Sequence, residues 1–137
     1  MPDTTYQPGT YRKQGGNELV IASGGQLTFE GQGAVTQATS LTTGVTVNAI
    51  SGIITTVSQT LAAAAEAEFV VTNSKVAVGD VVIVNVASIS GGAGGPFIAQ
   101  VTAVAAGSFT VALTNTHSAT AGNSVLILNF LILKCTT

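Results

Sequence analysis

From Gly44 onward, short β-prone runs alternate with turn-forming residues at roughly ten-residue spacing. This regular spacing restricts the possible folds more than any other feature of the sequence. The strongest run is Gly44–Ser58, where apolar and polar residues alternate up to Ser51 and Gly52 and β-branched residues follow. β-branched residues suit a pleated, half-buried surface, and a Ser-Gly pair between two such runs is typical of a hairpin turn. We therefore predict a β-hairpin here, with Gly52 supplying the positive φ of its turn.

The rest of the chain continues the same rhythm. Further strands are expected at residues 68–72, 81–86, 97–104, 109–114 and 125–133. Leu61–Ala67 contains four consecutive alanines, but so short a helix is marginal without packing, so we predict a loop. About eight strands without a helix indicate an all-β fold, a jelly-roll-like antiparallel β-sandwich, here assigned to residues 36–137.

Residues 18–35 contain a short internal repeat. Leu19, Leu27 and Val35 are spaced by eight, as are Ile21 and Phe29. Such a spacing predicts a short β-helical or β-spiral segment, whose rungs would need copies from other chains to bury their apolar face. A single β-hairpin with a Gly-Gly turn is the alternative interpretation.

Residues 1–17 have no hydrophobic period and hold two of the three prolines. We interpret them as an extended N-terminal arm; an unanchored terminus is the alternative. Aromatic residues and arginine are enriched at protein interfaces. The arm's candidate partner-binding residues are therefore Tyr6, Tyr11 and Arg12, with Lys13 beside them as a second cation.

The chain has very little charge for a soluble protein. Only 7% of its residues are Asp, Glu, Lys or Arg, against about 25% in an ordinary domain. Long apolar strands with so little charge would pair edge to edge, which favours surface hidden in an oligomer. The side chains of Leu126, Leu128, Phe130 and Ile132 are expected to divide between core and interface.

Charge and hydropathy also exclude several partners. A net charge of −2 argues against the clustered cations that nucleic acids or an anionic membrane surface require. No run approaches the 18 or so apolar residues of a membrane helix. The segment MPDTTYQPGTYRKQGG lacks the apolar centre of a signal peptide. We therefore expect a protein made and used in a cytoplasm, or released by lysis.

Candidate catalytic and metal-binding residues are few. His117 is the only histidine and lies in the polar stretch NTHSAT, and Cys135 is the only cysteine. Glu66 and Glu68 would share one face of a strand, and Asp80 is expected to cap a turn. No nucleophile, base and orienting group come together in this pattern, so we predict no catalytic residue, no metal site, no cofactor and no enzyme.

Four stretches carry a resemblance: GVTVNAISGIITT, FVVTNSKVAVGDVVIVNVAS, AVAAGSFTVALTNTHS and VLILNF. Together they resemble a module of tailed-bacteriophage structural proteins, found among capsid decoration (cement) proteins, head fibres and some fibre tips. The similar part covers roughly residues 36–133. The resemblance implies an oligomeric, jelly-roll-like β-sandwich on the outside of an icosahedral capsid, with the major capsid protein as partner.

The expected function follows from this resemblance. We expect a structural virion protein that stabilises a bacteriophage capsid from its exterior and is assembled in the host cytoplasm. A head- or tail-fibre tip that binds carbohydrate on the host surface is the alternative. The expected assembly is a homotrimer, with a dimer as second choice. The predicted capsid-binding residues are Tyr6, Tyr11, Arg12 and Lys13.

Overall fold

The computed structural model describes residues 10–12, 15–16, 18–92 and 95–135. The chain divides into two compact units, Met1–Glu30 and Gly31–Thr137. The sequence prediction placed a boundary between residues 35 and 36, whereas this division comes five residues earlier and gives Val35 to the second unit.

The first unit contains a small antiparallel ribbon. Strand β1 (Thr10–Arg12) pairs with β2 (Leu19–Ile21), with Thr10 opposite Ile21. A turn follows, in which the Gly25 amide donates to the Ala22 carbonyl at 2.8 Å. None of the described side chains of this unit is buried. The described residues of this unit therefore form no core, and a two-stranded ribbon by itself is marginally stable in water.

The eight-residue repeat does not form like strands within one chain. Leu19 lies in β2, Leu27 lies outside any strand, and Val35 lies in the second unit. This arrangement within one chain does not test a β-helical segment built from several chains, which stays a prediction.

The described residues of the second unit form eight strands in two sheets. The strands are β3 (Gly33–Thr36), β4 (Val45–Thr46), β5 (Ser51–Thr55), β6 (Glu66–Thr72), β7 (Val81–Ser90), β8 (Phe97–Ala105), β9 (Ser108–Asn115) and β10 (Val125–Leu133). Sheet I has the order β3-β5-β10-β7, and sheet II has the order β4-β6-β9-β8. The described residues contain no helix, so the predicted all-β class is confirmed.

Each sheet is mixed, whereas the sequence predicted antiparallel sheets. Strand β3 pairs with β5 in parallel, and β4 pairs with β6 in parallel. The remaining pairs in both sheets are antiparallel. The reason is that β3, β4, β5 and β6 alternate between the sheets. Strands two apart along the chain therefore run in the same direction and become neighbours.

The predicted hairpin at Gly44–Ser58 is wrong, because its two arms lie in different sheets. Strand β4 belongs to sheet II and β5 to sheet I, and residues 47–50 cross between them. The Val47 amide donates to the Thr72 carbonyl of sheet II, whereas the Ile132 amide of sheet I donates to the Ile50 carbonyl. Alternation with period two is the same in a hairpin and in a strand that changes sheets, so the sequence pattern cannot separate them.

Gly52 also has a different role from the predicted one. It lies inside β5 without a positive φ. A Cβ atom built there would lie 2.5 Å from a ring carbon of Phe130 and 2.6 Å from the carbonyl oxygen of Gly33. Glycine is therefore required because β3 and a core aromatic ring approach the backbone closely.

Most other predicted elements are confirmed. The last strand has the predicted bounds, β6 begins two residues earlier than predicted, and β7 extends four residues beyond the predicted end. The alanine-rich stretch after Leu61 forms a turn, in which Ala64 has a φ of 55°. Gly107, with a φ of 78°, forms the tight turn between β8 and β9.

The core lies between the two sheets. Sheet II contributes the buried side chains of Phe69, Val71, Phe109, Val111 and Leu113, and sheet I contributes Ile54, Leu126, Leu128, Phe130 and Ile132. The rings of Phe109 and Phe130 meet across the sheets with centroids 5.8 Å apart. All four inward side chains of β10 lie in this core, so the expected division of these residues between core and interface is wrong.

Candidate interaction surfaces

The predicted capsid-binding residues lie in or near the first unit. Tyr6 and Lys13 are outside the described residues. Tyr11 and Arg12 are in β1, where their backbones pair with Val20 and Leu19. The two residues are therefore neighbours in β1, and their backbones lie opposite β2.

His117 stabilises the turn in which it lies. The backbone amide of His117 donates to Asn115 Oδ1 at 3.1 Å. Its ring Nδ1 accepts from the backbone amides of Ala119 and Thr120, at 3.2 and 2.9 Å. In the described part of the chain, no three His, Cys, Asp or Glu residues come together in a way that could hold a metal ion.

Glu66 and Glu68 share the outward face of sheet II, as the sequence predicted for two residues of one strand. Thr102 Oγ1 donates to Glu68 Oε1 at 2.8 Å, and Thr114 Oγ1 donates to Glu66 Oε2 at 3.4 Å. Both carboxylates are exposed. They give the outer face of sheet II its negative charge, beside the exposed aliphatic side chains of Val70 and Ile98.

Asp80 caps its turn, as predicted, and also fixes the end of the last strand. Its Oδ2 accepts from the Ala77 amide at 2.7 Å, and its Oδ1 accepts from the Cys135 amide at 3.2 Å. Lys134 forms an ion pair with the same carboxylate, which is buried. The hydrogen bond from Lys134, followed by that from Ala77, lowers the pKa of Asp80 below its usual value.

Two buried asparagines were missed by the sequence analysis. Asn73 follows β6, and its Nδ2 donates to the Ala49 carbonyl at 2.8 Å. Asn115 ends β9, and its Nδ2 lies within 3.2 Å of three carbonyl oxygens, those of Leu61, Ala62 and Thr120. In both, Oδ1 accepts from the amide two residues later.

These asparagines hold loops at opposite ends of sheet II, since β6 and β9 are antiparallel. The signal in the sequence is the recurrence of Thr-Asn-Ser at residues 72–74 and Thr-Asn-Thr at 114–116, each directly after a strand of alternating residues. An asparagine at such a place mimics a backbone turn and accepts from the amide two residues on.

The outer face of sheet I carries more aliphatic side chains than that of sheet II. Val81, Ile83 and Leu133 are 47%, 48% and 40% exposed there, and the exposed Asn85 and Asn129 lie opposite each other in its middle. Ile53, Ile127 and Leu131 lie among them in the register of the sheet and are half-buried. Described residues place no charged side chain on this face. We call it the apolar face, defined by Ile53, Val81, Ile83, Ile127, Leu131 and Leu133.

Within the described residues, the structure has no helix of the length and hydropathy that crossing a membrane requires. Comparisons of the chain with protein-family models, with curated proteins and with solved structures give no match. The fold itself defines the class: a β-sandwich of two mixed four-stranded sheets, preceded by a ribbon unit.

Proposed function

We propose that this protein is a structural virion component that binds the outer surface of a tailed-bacteriophage capsid and stabilises it. The source of the proposal is the resemblance carried by residues 36–133. The protein would act by bridging neighbouring subunits of the major capsid protein, without catalysis and without a cofactor. It would be assembled onto the capsid in the host cytoplasm.

One observation supports attachment to the capsid through the first unit: apolar side chains in the described part of this unit are exposed. Leu19 and Leu27 are 64% and 61% exposed there, and no described side chain of the unit is buried. Ordering such a segment costs conformational entropy that its own contacts do not offset. A partner surface that buries these apolar side chains would supply the missing free energy.

The attachment residues proposed within this unit are Tyr6, Tyr11, Arg12 and Lys13. Tyrosine side chains offer large contact area with little entropy loss, and the two cations suit acidic groups on a capsid surface. Attachment would repeat at every copy of the protein, so weak single contacts would add up through avidity.

The sandwich supports the proposed jelly-roll relationship at the level of strand number and layering. Jelly rolls have eight strands in two facing sheets, which the second unit also has. The parallel pairs β3–β5 and β4–β6 depart from that pattern. We propose a jelly-roll-like domain in which early crossings between the sheets replace two antiparallel pairs.

We also propose that the protein forms a homotrimer, in which the residue 18–35 segments of three chains come together as a short β-helical stem. The exposed Ile21 of β2 supports this, because its apolar side chain is available to other chains. A dimer is the second choice.

Heating of virions tests the stabilising role. Particles with and without the protein are heated, and genome release is followed with a DNA-binding dye. Particles that lack the protein should release DNA at a lower temperature, and adding back the purified full chain should restore the original temperature. Equal release from both kinds of particle would contradict the proposal.

A further inference from the structure

The outer face of sheet I exposes several aliphatic side chains next to one another. Single exposed aliphatic residues are normal on protein surfaces, but contiguous apolar patches mark interaction sites. Here the outward side chains of β7 and β10 stand in register, with Ile83 opposite Leu131 and Val81 opposite Leu133. These two pairs adjoin a polar pair, Asn85 opposite Asn129, and together they form one uncharged patch.

Sheet II provides an internal comparison. Its outer face carries Glu66 and Glu68, whose carboxylates bind threonine hydroxyls of the same face. That face also exposes Val70 and Ile98, which are 46% and 52% exposed, so the two outer faces differ in charge rather than in the presence of aliphatic side chains. The uncharged face is the one that an apolar partner surface can cover without burying a charge.

We propose that the apolar face of sheet I is the surface through which copies of this chain associate. This inference rests on the self-association part of the proposed function. Two faces that meet in this way give the dimer, which is the second choice there, rather than the trimer joined through residues 18–35. The occupant is a second copy because the described residues of the face carry no charge. Two such faces meet without like-charge repulsion and without leaving an unpaired charge buried.

The size of the face agrees with this occupant. The four strands of sheet I contain four, five, nine and ten residues. With residues about 3.3 Å apart and strands about 4.8 Å apart, the sheet covers roughly 450 Å². Two copies would bury about 900 Å² if the side chains are treated as flat, a size typical of weak, reversible association, which is below the ~1,200 Å² of a stable interface.

The edge of the same sheet continues the apolar face. Strand β7 is the last strand of sheet I and contains no charged residue and no proline. Natural edge strands that face water usually carry charges or proline to prevent pairing with other chains. The neighbouring charge, Asp80, is buried and paired with Lys134. The edge therefore presents no electrostatic barrier to a second copy.

A charge placed in the middle of the face tests the proposal, with a matched control on sheet II. Ile83→Lys changes a side chain that is 48% exposed, and Val70→Lys changes one on β6 that is 46% exposed. The mass of each full-length protein is followed by sedimentation velocity from 1 μM to 1 mM. The wild type and V70K should associate equally, and I83K should dissociate about 100-fold more readily.

A second variant keeps the test valid if I83K loses its β-type circular dichroism. Ile83→Thr retains the branched side chain and should weaken association about tenfold. A wild type that is monomeric throughout would overturn both self-association and this surface. Wild-type association that neither Ile83 variant weakens, or that V70K weakens equally, would overturn the surface alone. Unchanged association of the Ile83 variants with reduced capsid binding would mean that the capsid is the occupant, and would also overturn the proposal.

Discussion

At the scale of single residues, the stability of the sandwich depends on a few buried polar groups. Asn73 and Asn115 are fully buried, and each replaces missing backbone partners at the end of a strand. Asp80 does the same for the turn before β7 and for the chain after β10. Removing such a group leaves buried donors or acceptors unpaired, which costs more than the bond itself contributes.

Asn115→Ala is predicted to destabilise the protein strongly. Three carbonyl oxygens and one amide lose their side-chain partner, so we expect the free energy of unfolding to fall by about 3 kcal/mol. Chemical denaturation at one fixed protein concentration measures this. Gln100→Ala is the matched control, because Gln100 carries an exposed amide side chain on β8, away from the apolar face, and should change stability by no more than ~0.5 kcal/mol. Equal losses would show that the buried contacts of Asn115 are unimportant.

Asp80→Asn is predicted to destabilise the protein in a pH-dependent manner. The pKa of Asp80 is lowered in the folded state, so its stabilising effect is fully present above the unfolded pKa of about 3.9. That effect is lost as the pH falls through the folded pKa. Melting temperatures should therefore differ between wild type and variant at pH 7 and converge in strong acid.

Glu68→Gln is the control for this pH dependence, since Glu68 is exposed and bound by a threonine hydroxyl. Its melting temperature should follow that of the wild type at every pH. A difference between wild type and D80N that stays constant down to strong acid would contradict the assignment of the charge effect to Asp80.

At the scale of strands, the crossing between sheets at residues 47–50 determines the topology. It places β4 beside β6 and β5 beside β3, and so produces one parallel pair in each sheet. Gly52 makes this arrangement possible, because β3 and the Phe130 ring occupy the space that a side chain would need.

Gly52→Ala is therefore predicted to lower the free energy of unfolding by about 1–3 kcal/mol, the usual cost of an added methyl group in a packed core. Ser51→Ala, the neighbouring outward position of β5, should change it little. Denaturant titration of the two variants at equal concentration gives the comparison. If G52A were as stable as S51A, the close approach of Phe130 to the backbone would be wrong.

The success of sequence reasoning differs between these elements for physical reasons. Strands β6 to β10 were predictable because each alternates apolar and polar residues or is bounded by glycine and asparagine. The change of sheet after β4 was not, because a crossing and a hairpin share the same alternation. The apolar face was not predicted either, since the run VLILNFLIL is apolar at every inward position and at every outward position except Asn129.

At the scale of the whole molecule, the two units divide the proposed function between them. The second unit has a core from both sheets, whereas the described part of the first has no buried side chain. We therefore predict that deletion of residues 1–17 leaves a folded, associating sandwich with unchanged β-type circular dichroism. The same deletion should sharply lower occupancy of bare capsids in a reconstitution assay.

Substitutions in the full chain test whether the two tyrosine side chains, rather than the arm as a whole, are responsible for capsid binding. Tyr6→Ala combined with Tyr11→Ala should weaken capsid binding, since a buried aromatic anchor contributes about 2 kcal/mol or more. Thr5→Ala combined with Thr10→Ala is the matched control and should bind as the wild type does. If the deleted or tyrosine-free protein still saturated capsids at the same concentration, attachment would have to lie on the sandwich.

Imaging of purified virions tests the central claim most directly. Averaged electron micrographs of particles that contain the protein should show regularly spaced density on the outside of the capsid. That density should disappear from particles produced without the protein and return when the purified full chain is added. Density at the tail alone, or a protein that does not copurify with virions at all, would contradict the account.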